Sequence, residues 1–219
     1  MSAREQLLDL AKRSVSQPGT LRGIDPAEAR HAAVLILFGI LDDRPAEFHA
    51  GAVPDDLDVL LVLRSGSLTD HPGQVAFPGG RIDDGDDGPV AAALREAWEE
   101  TGVDTAGIEV LGPLPESGLP VSNFLVTPVL AWWADQSPVT VVDEAESEHV
   151  FRVPVADLLN PAGRRSVIGH RNGVTWTTPA FLVRDVTVWG FTALLLDALF
   201  DDLGWTLPWD KSDQIPPPL

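Results

Sequence analysis

Three glutamates, Glu96, Glu99 and Glu100, lie within the ten-residue stretch LREAWEETGV (94–103). In a helix, positions i, i+3 and i+4 share one face, so the three negative charges repel one another. Such a cluster is either a solvated surface or a site for a cation. Carboxylate oxygens are the ligands that hard divalent cations such as Mg²⁺ prefer. The stretch therefore indicates either an ordinary helix surface or a metal site.

A glycine-rich segment precedes the acidic stretch. FPGGR (77–81) places Gly79 and Gly80 where the absence of side chains lets the backbone approach a ligand closely. The residues between this segment and Arg95 are rich in Gly, Pro and Asp, which predicts a loop. A magnesium site in proteins usually combines one or two carboxylates with substrate phosphates and water. The upstream segment therefore favours the metal site over the solvated surface.

Together the two segments resemble the signature of the Nudix hydrolases, the Nudix box. That box runs glycine, five residues, glutamate, seven residues, then Arg-Glu-apolar-any-Glu-Glu-any-Gly-apolar, and its second half matches REAWEETGV (95–103). The spacing from Gly80 to Arg95 is one residue longer than in the general box. An aspartate stands in place of the first glutamate: Asp86 if counted forward from Gly80, Asp87 if counted back from Arg95.

The resemblance implies a role for each matching residue. Glu96, Glu99 and Glu100 would hold Mg²⁺ or Mn²⁺, with the carbonyl of Gly79 as a further ligand. Glu99 and Glu100 are also expected to act in catalysis, together with Arg95, which orients a box glutamate. The alternative for Arg95 is a plain surface ion pair with Glu99, four residues on.

A second motif resembles the branch of this family that hydrolyses coenzyme A. The motif of that branch is approximately L-L-T-x-R-[S/A]-x3-R-x3-G-x3-F-P-G-G, and here it reads LLVLRSGSLTDHPGQVAFPGG (60–80). Arg64 is retained, but Thr69 stands in place of the second arginine. Because a guanidinium is a natural partner of a phosphate, this replacement bears on the substrate.

The resemblance implies hydrolysis of a pyrophosphate bond in a nucleoside diphosphate derivative. The expected substrate is CoA or acyl-CoA, which would give 3′,5′-ADP and (acyl-)phosphopantetheine. ADP-ribose, a dinucleotide or another compound of this type is the alternative substrate, because of Thr69. An alternative of a different class is a Nudix-fold module that senses a nucleotide without turnover. The intact set of three glutamates argues against that module.

Positive charge and a general base must come from outside the acidic stretch. Arg64 and Arg81 are the candidates for binding the diphosphate, with Gly80 beside Arg81 in the same substrate-binding loop. A later acidic segment, VVDEAESEHVF, offers the general base. Glu146 is the first choice and Glu144 the second, and a solvated loop is the alternative for the whole segment.

Apolar and β-branched runs predict the strands that position these residues, and amphipathic runs predict the helices. Strands are expected at 31–40, 59–64, 75–77, 108–115, 124–134, 138–142 and 173–183. Helices are expected at 2–16, from Asp86 or Asp87 to a cap at Gly102, in the second part of 153–160, and within 188–205.

Mixed strands with helices before, between and after them predict an α/β (α+β) fold. The resemblance implies a Nudix-type α/β/α sandwich with a mixed β-sheet. One Nudix domain is expected at 31–209, after an N-terminal helical extension at 1–30. A Pro-rich C-terminal tail at 210–219 is expected to be disordered or loosely packed.

The 219-residue chain has a formal net charge of −18. This argues against a nucleic-acid polymer as partner, because such binders need a basic surface. A small anionic substrate is still allowed, since a metal ion and a few arginines reverse the field locally. The absence of cysteine excludes disulfides and a thiol nucleophile.

The longest apolar run, AAVLILFGIL, is far shorter than the roughly 20 residues that span a bilayer. A cytoplasmic protein with no membrane partner is therefore expected. The resemblance also allows a homodimer. Trp98, inside the acidic stretch, is expected to pack the helix on the sheet or to form a dimer contact.

Overall fold

The structure is a computed structural model that describes residues 1–13, 24–25, 28–40, 45–67, 72–119, 122–171 and 173–218. Its helices are α1 Ala3–Lys12, α2 Gly88–Thr101, α3 Val155–Leu159 and α4 Gly190–Leu203. Its strands are β1 Arg30–Ile40, β2 Leu57–Arg64, β3 Val75–Ala76, β4 Gly79–Arg81, β5 Ile108–Pro113, β6 Ser117–Leu119, β7 Phe124–Trp133, β8 Ser147–Pro154, β9 Arg164–Arg171, β10 Val174–Val183, β11 Val186–Val188 and β12 Gln214–Ile215. The end of the first predicted helix, at 14–16, and Thr69 lie outside the described residues.

The larger sheet is mixed, as predicted. Its strands run in the order β3-β2-β1-β7-β5, with β4 paired to β1, β6 to β7 and β8 to β2. β1 and β7 pair in parallel, with Arg30 opposite Phe124. The first half of β1 pairs with β4, which carries Gly79 and Gly80, and the second half pairs with β2. β1 therefore joins the glycine pair directly to the centre of the sheet.

Helices cover both faces of this sheet. Because side chains alternate along a strand, Ala33 and Leu35 of β1 lie in the core beneath α2, whereas Ile36 and Phe38 lie in the core with α1, α3 and α4. All four side chains are buried. The continuous apolar run of β1 follows from burial on both faces. The predicted α/β/α sandwich is confirmed.

A second sheet joins the core on the side of α4. Its strands run in the order β11-β10-β9-β12. Phe181 of β10 packs edge-on against Phe200 of α4, with ring centroids 6.1 Å apart. The Arg164 guanidinium of β9 lies 4.1 Å from the Phe181 ring centre and 4.5 Å from that of Trp209.

The last described residues belong to this second sheet. β12 pairs in parallel with β9, with Gln214 opposite Ser166. The expectation of a loosely packed end is therefore wrong for residues 211–215, where Ser166 also donates to the carbonyls of Lys211 and Asp213. The tail has no periodic pattern of apolar residues, so its sequence does not predict a strand. The strand forms because the tail meets β9, some fifty positions earlier in the chain.

The predicted strand at 138–142 is also wrong. The backbone N–H groups of Thr140 and Val142 donate to the carbonyls of Thr101 and Glu100, at 3.0 and 3.3 Å. These carbonyls end α2 and have no partner within the helix. The β-branched residues here therefore satisfy the end of the acidic helix and pair with no strand in the described structure.

The N-terminal helix packs into the main core. Leu7 and Leu10 are buried there, and Trp205 Nε1 donates to Gln6 Oε1 at 2.7 Å. The expected domain limits, with residues 1–30 as an extension, stay a prediction. None of the helices in the described residues has the length and apolar character of a membrane span.

Candidate active site

A pocket of about 470 Å³ opens where β1, β4, α2 and the first turn of α4 meet. Seven of the predicted site residues line it: Arg64, Gly79, Gly80, Arg81, Glu96, Glu100 and Glu146. The predicted residues Arg95 and Glu99 are both described, and neither lines the pocket. The folded chain thus brings most of the predicted set together and separates two members from it.

Small residues let α2 approach the sheet closely. Ala92, Ala93 and Ala97 are fully buried on the face that packs against β1. The helix ends at Gly102, whose φ of +67° is a left-handed conformation that favours glycine. This close packing places the second half of α2, with its glutamates, at the edge of β4.

Glu100 is a buried carboxylate, with 3% of its surface exposed. Its Oε2 accepts a hydrogen bond from the backbone N–H of Gly79 at 3.1 Å. Burial, together with the charges of Glu96 and Glu146, raises the pKa of Glu100 to about 8, against the opposing effects of the Gly79 hydrogen bond and the charge of Arg64. Without a cation, much of Glu100 is protonated at neutral pH.

Glu96 explains why the loop carries a glycine at position 80. A Cβ built on Gly80 would lie 2.4 Å from the Glu96 carboxyl carbon, so any side chain there would displace the carboxylate. A Cβ on Gly79 would lie 2.4 Å from the carbonyl oxygen of Ala33. Burial raises the pKa of Glu96, and its hydrogen bond to Arg95 opposes that rise. The glycine pair thus fits between β1 and α2.

Arg95 holds several acidic groups at once. Its Nε and Nη2 donate to Asp86 Oδ1 and Oδ2, each at 2.9 Å, and its Nη1 donates to Glu96 and Glu99, each at 3.0 Å. Nη2 also donates to the carbonyl of Arg81. The surface pair with Glu99 exists, but it is one contact within this network.

The sequence left open whether Asp86 or Asp87 takes the first acidic position of the box, and a bidentate contact with Arg95 distinguishes them. Asp86 makes it, and the hydrogen bonds from Arg95 lower the pKa of the Asp86 carboxyl to about 2. Asp87 precedes α2 and makes no side-chain capping hydrogen bond. Asp86, counted forward from Gly80, therefore occupies the acidic position that faces Arg95.

Glu99 lies outside the pocket, with 45% of its side chain exposed. It borders a second depression together with Trp98, Asp143 and Glu146. Trp98 is 59% exposed, so the expectation that it packs α2 on the sheet is wrong. An exposed tryptophan follows from its position on the outer face of α2, opposite the buried alanines.

Glu146 borders both the pocket and the second depression. Its backbone carbonyl accepts a hydrogen bond from the N–H of Ser65 at 2.8 Å, which fixes this loop next to the end of β2. Glu144, also described, borders neither depression. Glu148 is held elsewhere, since its Oε1 accepts from the N–H of Gly66 at 2.8 Å. The structure therefore separates Glu146 from its two neighbours.

Comparison with known proteins agrees with this arrangement. The profile of the NUDIX domain matches residues 46–176, more than half of the chain. The chain belongs to the Nudix hydrolase family. It is 38% identical over 153 residues to the uncharacterized Nudix hydrolase NudL of Escherichia coli O7:K1, covering 67% of this chain and 75% of that protein. It is 36% identical over 146 residues to the protein of the same description from Cronobacter sakazakii, with the same coverage.

A solved structure supports the fold. The crystal structure of the Nudix hydrolase RenU from M. smegmatis superposes with a TM-score of 0.52 at 17% sequence identity. The match covers 84% of this chain and 91% of that one. The chain is thus a Nudix hydrolase, and its family hydrolyses pyrophosphate bonds in nucleoside diphosphate derivatives.

Nudix enzymes generally use divalent cations, and the donor set here suits one. Burial and mutual repulsion raise the pKa of Glu96 and of Glu100, and a hard cation would offset both costs. Within the described part of the chain, no three carboxylate or histidine groups already converge as a closed metal cage. Instead, Arg95 Nη1 donates hydrogen bonds to both Glu96 and Glu99.

Sequence reasoning missed the far wall of the Nudix pocket. Ser122 and Phe124, at the start of β7, and Phe191 and Thr192, at the start of α4, all line it. The helix within 188–205 was predicted, but no site residue was predicted on it. They reach the pocket only because β7 pairs with β1 and α4 packs near β3, which are contacts between distant parts of the chain.

Proposed function

We propose that this Nudix hydrolase cleaves the pyrophosphate bond of CoA or acyl-CoA, giving 3′,5′-ADP and (acyl-)phosphopantetheine. One observation carries the proposal. Both ends of the CoA-type motif, Arg64 at its start and Gly79–Gly80 at its end, line the same pocket as Glu96 and Glu100. The motif and the acidic helix would therefore act on one bound molecule.

In this proposal, Arg64 and Arg81 bind the diphosphate of the substrate. Their charges compensate for the acidic groups of a chain with net charge −18. Glu96, Glu99, Glu100 and the carbonyl of Gly79 hold Mg²⁺ or Mn²⁺. When bound, the cation polarises phosphoryl oxygens and lowers the pKa of water. Arg95, fixed by Asp86, positions Glu96 and Glu99.

The chemical step is attack of water on one phosphorus of the diphosphate. The bond between that phosphorus and the bridging oxygen breaks, and the Glu146 carboxylate accepts the proton of the attacking water. Two observations support Glu146 over Glu144: Glu146 lines the pocket, and it lies close enough for its charge to act on Glu96 and Glu100.

ADP-ribose or a dinucleotide is the second candidate substrate, because Thr69 replaces an arginine of the CoA-type motif. A module that senses nucleotides without turnover is disfavoured. Buried carboxylates raise the free energy of the folded protein, and a pure binder has no need of them at its pocket.

A substrate panel tests the proposal. Purified protein is incubated with CoA, acetyl-CoA, ADP-ribose, NADH and a diadenosine polyphosphate in Mg²⁺ and in Mn²⁺, and kcat/KM is compared. CoA or acetyl-CoA is expected to give the highest value, with 3′,5′-ADP as product. Preference for ADP-ribose would reject the CoA assignment. No turnover of any compound, with Glu100→Gln equal to wild type, would reject catalysis at this site.

A matched pair of variants tests the assignment of the general base. Glu146→Gln is expected to lower kcat by roughly 10²-fold or more, because a positioned base contributes about that much. Glu144→Gln removes the same charge two residues away, outside the pocket, and is expected to stay within about twofold of wild type. Equal losses in both variants would assign the effect to the loop and not to the base.

A further inference from the structure

The first turn of α4 presents unpaired backbone donors to the catalytic pocket. The helix begins at Gly190, whose φ of +68° is a conformation that favours glycine, and no side chain caps this end. The next two residues, Phe191 and Thr192, line the pocket. The first N–H groups of a helix have no partner inside it and carry a partial positive charge. This end of α4 is thus a place where negative charge is favourable.

Thr192 supplies an independent observation. The residue is 94% buried, with 6% of its surface exposed, and it lines the pocket. Among the described residues, no hydrogen bond joins its hydroxyl to another group, unlike the hydroxyl of Thr101 in α2, which donates to the carbonyl of Ala97. The hydroxyl oxygen is not among the fully enclosed side-chain atoms that lack a partner, so it keeps access to the pocket that the residue lines and is free to meet a ligand. Its position beside uncapped N–H groups suits a ligand oxygen.

We propose that the first turn of α4 binds a phosphate group of the substrate, through the Thr192 hydroxyl and the backbone N–H groups beside it. The phosphate subsite rests on the proposed function in taking the ligand to be a nucleotide, and its assignment to one phosphate rests also on the CoA substrate. The glutamates of α2 would hold a cation at one wall, and α4 would hold anionic oxygens at another. A pocket lined by Glu96, Glu100 and Glu146 repels free anions, so an anion subsite needs its own donors.

The 3′,5′-ADP half of a CoA-type substrate carries two phosphates with this chemistry: the 3′-phosphate of its adenosine and the 5′-phosphate that belongs to the diphosphate. The two sources differ in which product binds. 3′,5′-ADP carries both phosphates, whereas 5′-AMP carries only the second. We assign the site to the 3′-phosphate, because Arg64 and Arg81 are already available to the diphosphate.

The test measures binding of 3′,5′-ADP and 5′-AMP by titration calorimetry, without turnover, to wild type and Thr192→Val. The variant keeps the shape of the side chain and removes its hydroxyl. Loss of one hydrogen bond to a charged oxygen is expected to weaken 3′,5′-ADP about tenfold and to leave 5′-AMP unchanged. The matched control is Thr178→Val, which removes a buried hydroxyl without a partner in β10, away from the pocket.

Each outcome decides the proposal. Equal weakening of both nucleotides in Thr192→Val supports the phosphate site and moves it to the 5′-phosphate. Unchanged binding of both nucleotides overturns the site, as does equal weakening in Thr178→Val. Failure of the enzyme to hydrolyse CoA, with binding of 3′,5′-ADP still sensitive to Thr192→Val, would reject the CoA assignment and retain the subsite.

Discussion

The two long helices at the pocket, α2 and α4, are built alike and present opposite ends to it. Each has 14 residues, begins at a glycine with positive φ, and ends before a glycine in the left-handed conformation. α2 presents the acidic side chains of its second half, where the helix dipole is negative. α4 presents its first turn, where the dipole is positive. Similar helices can therefore serve cation and anion binding, according to which end reaches the site.

The largest expected effect lies on the α2 side. Glu100→Gln keeps the acceptor for the Gly79 N–H and removes the charge. We expect kcat/KM to fall by roughly 10²- to 10³-fold, with an unchanged fold by circular dichroism, because a group that stabilises transition-state charge is lost. Glu148→Gln, outside the pocket, is the control and should change kcat/KM less than about twofold. A loss of kcat/KM that came only from a higher KM, with kcat unchanged, would contradict a role in the chemical step.

The next effect concerns the positioning of α2 glutamates by Arg95. Asp86→Asn removes the charge that holds Arg95 in a two-pronged contact, and with it the constraint on Glu96 and Glu99. We expect kcat/KM to fall by about 10- to 100-fold, as for groups that orient metal ligands. Asp87→Asn is the adjacent control, and we expect it to behave as wild type. A larger loss in Asp87→Asn would assign the acidic box position to Asp87.

The third effect is a pH dependence that only the α2 side should show. The pKa of Glu100 in the folded, metal-free protein is about 8, above its ordinary value near 4.5. Between these values the unfolded chain has released the proton that the folded protein keeps, so stability falls as pH rises. In EDTA, Glu100→Gln should therefore gain Tm relative to wild type from pH 5 to pH 8. A Tm difference that does not change with pH would contradict the raised pKa.

The smallest expected effect is on stability, and it tests whether the glycines with positive φ at the starts of α2 and α4 have the same role. Gly88→Ala and Gly190→Ala place a side chain at φ values of +81° and +68°; the added Cβ has no neighbour within 4 Å at Gly88 and only an ordinary contact with Gln74 Oε1, at 3.8 Å, at Gly190. Left-handed backbone costs a non-glycine residue about 1–2 kcal/mol, so both variants should lose that much stability in urea unfolding. Gly85→Ala, at a site without positive φ and without neighbours, should change it by less than about 0.5 kcal/mol. Unequal losses in the two helices would contradict their similarity.

The sequence predicted the α2 side of this comparison and missed the α4 side. The spacing of Glu96 and Glu100 is a local property, readable from the 3.6-residue period, and it places both in the pocket. The buried strands β1, β2 and β7 were likewise readable, because apolar runs of that length need a core. Thr192 carries no such signal, since its role depends on where the fold places the end of α4.

Two other misreadings have physical causes of the same kind. The segment 138–142 has strand-like residues, but the N–H groups of Thr140 and Val142 meet the free carbonyls at the end of α2. Gly79–Arg81 forms a strand although glycine disfavours one, because only a residue without Cβ fits against Ala33. In each case a tertiary contact overrides the local preference.

Trp98 gives the protein a built-in optical probe. All seven tryptophans lie among the described residues, and Trp98 is the exposed one; Trp133 and Trp205 are buried and the others are half-buried. It shares a depression with Glu99 and Glu146. Because acrylamide also reaches half-buried tryptophans, the difference in quenching between wild type and Trp98→Phe isolates the signal of this residue. Cation or nucleotide binding at the acidic helix can therefore be followed by the change in Trp98 quenching, without a label and without turnover.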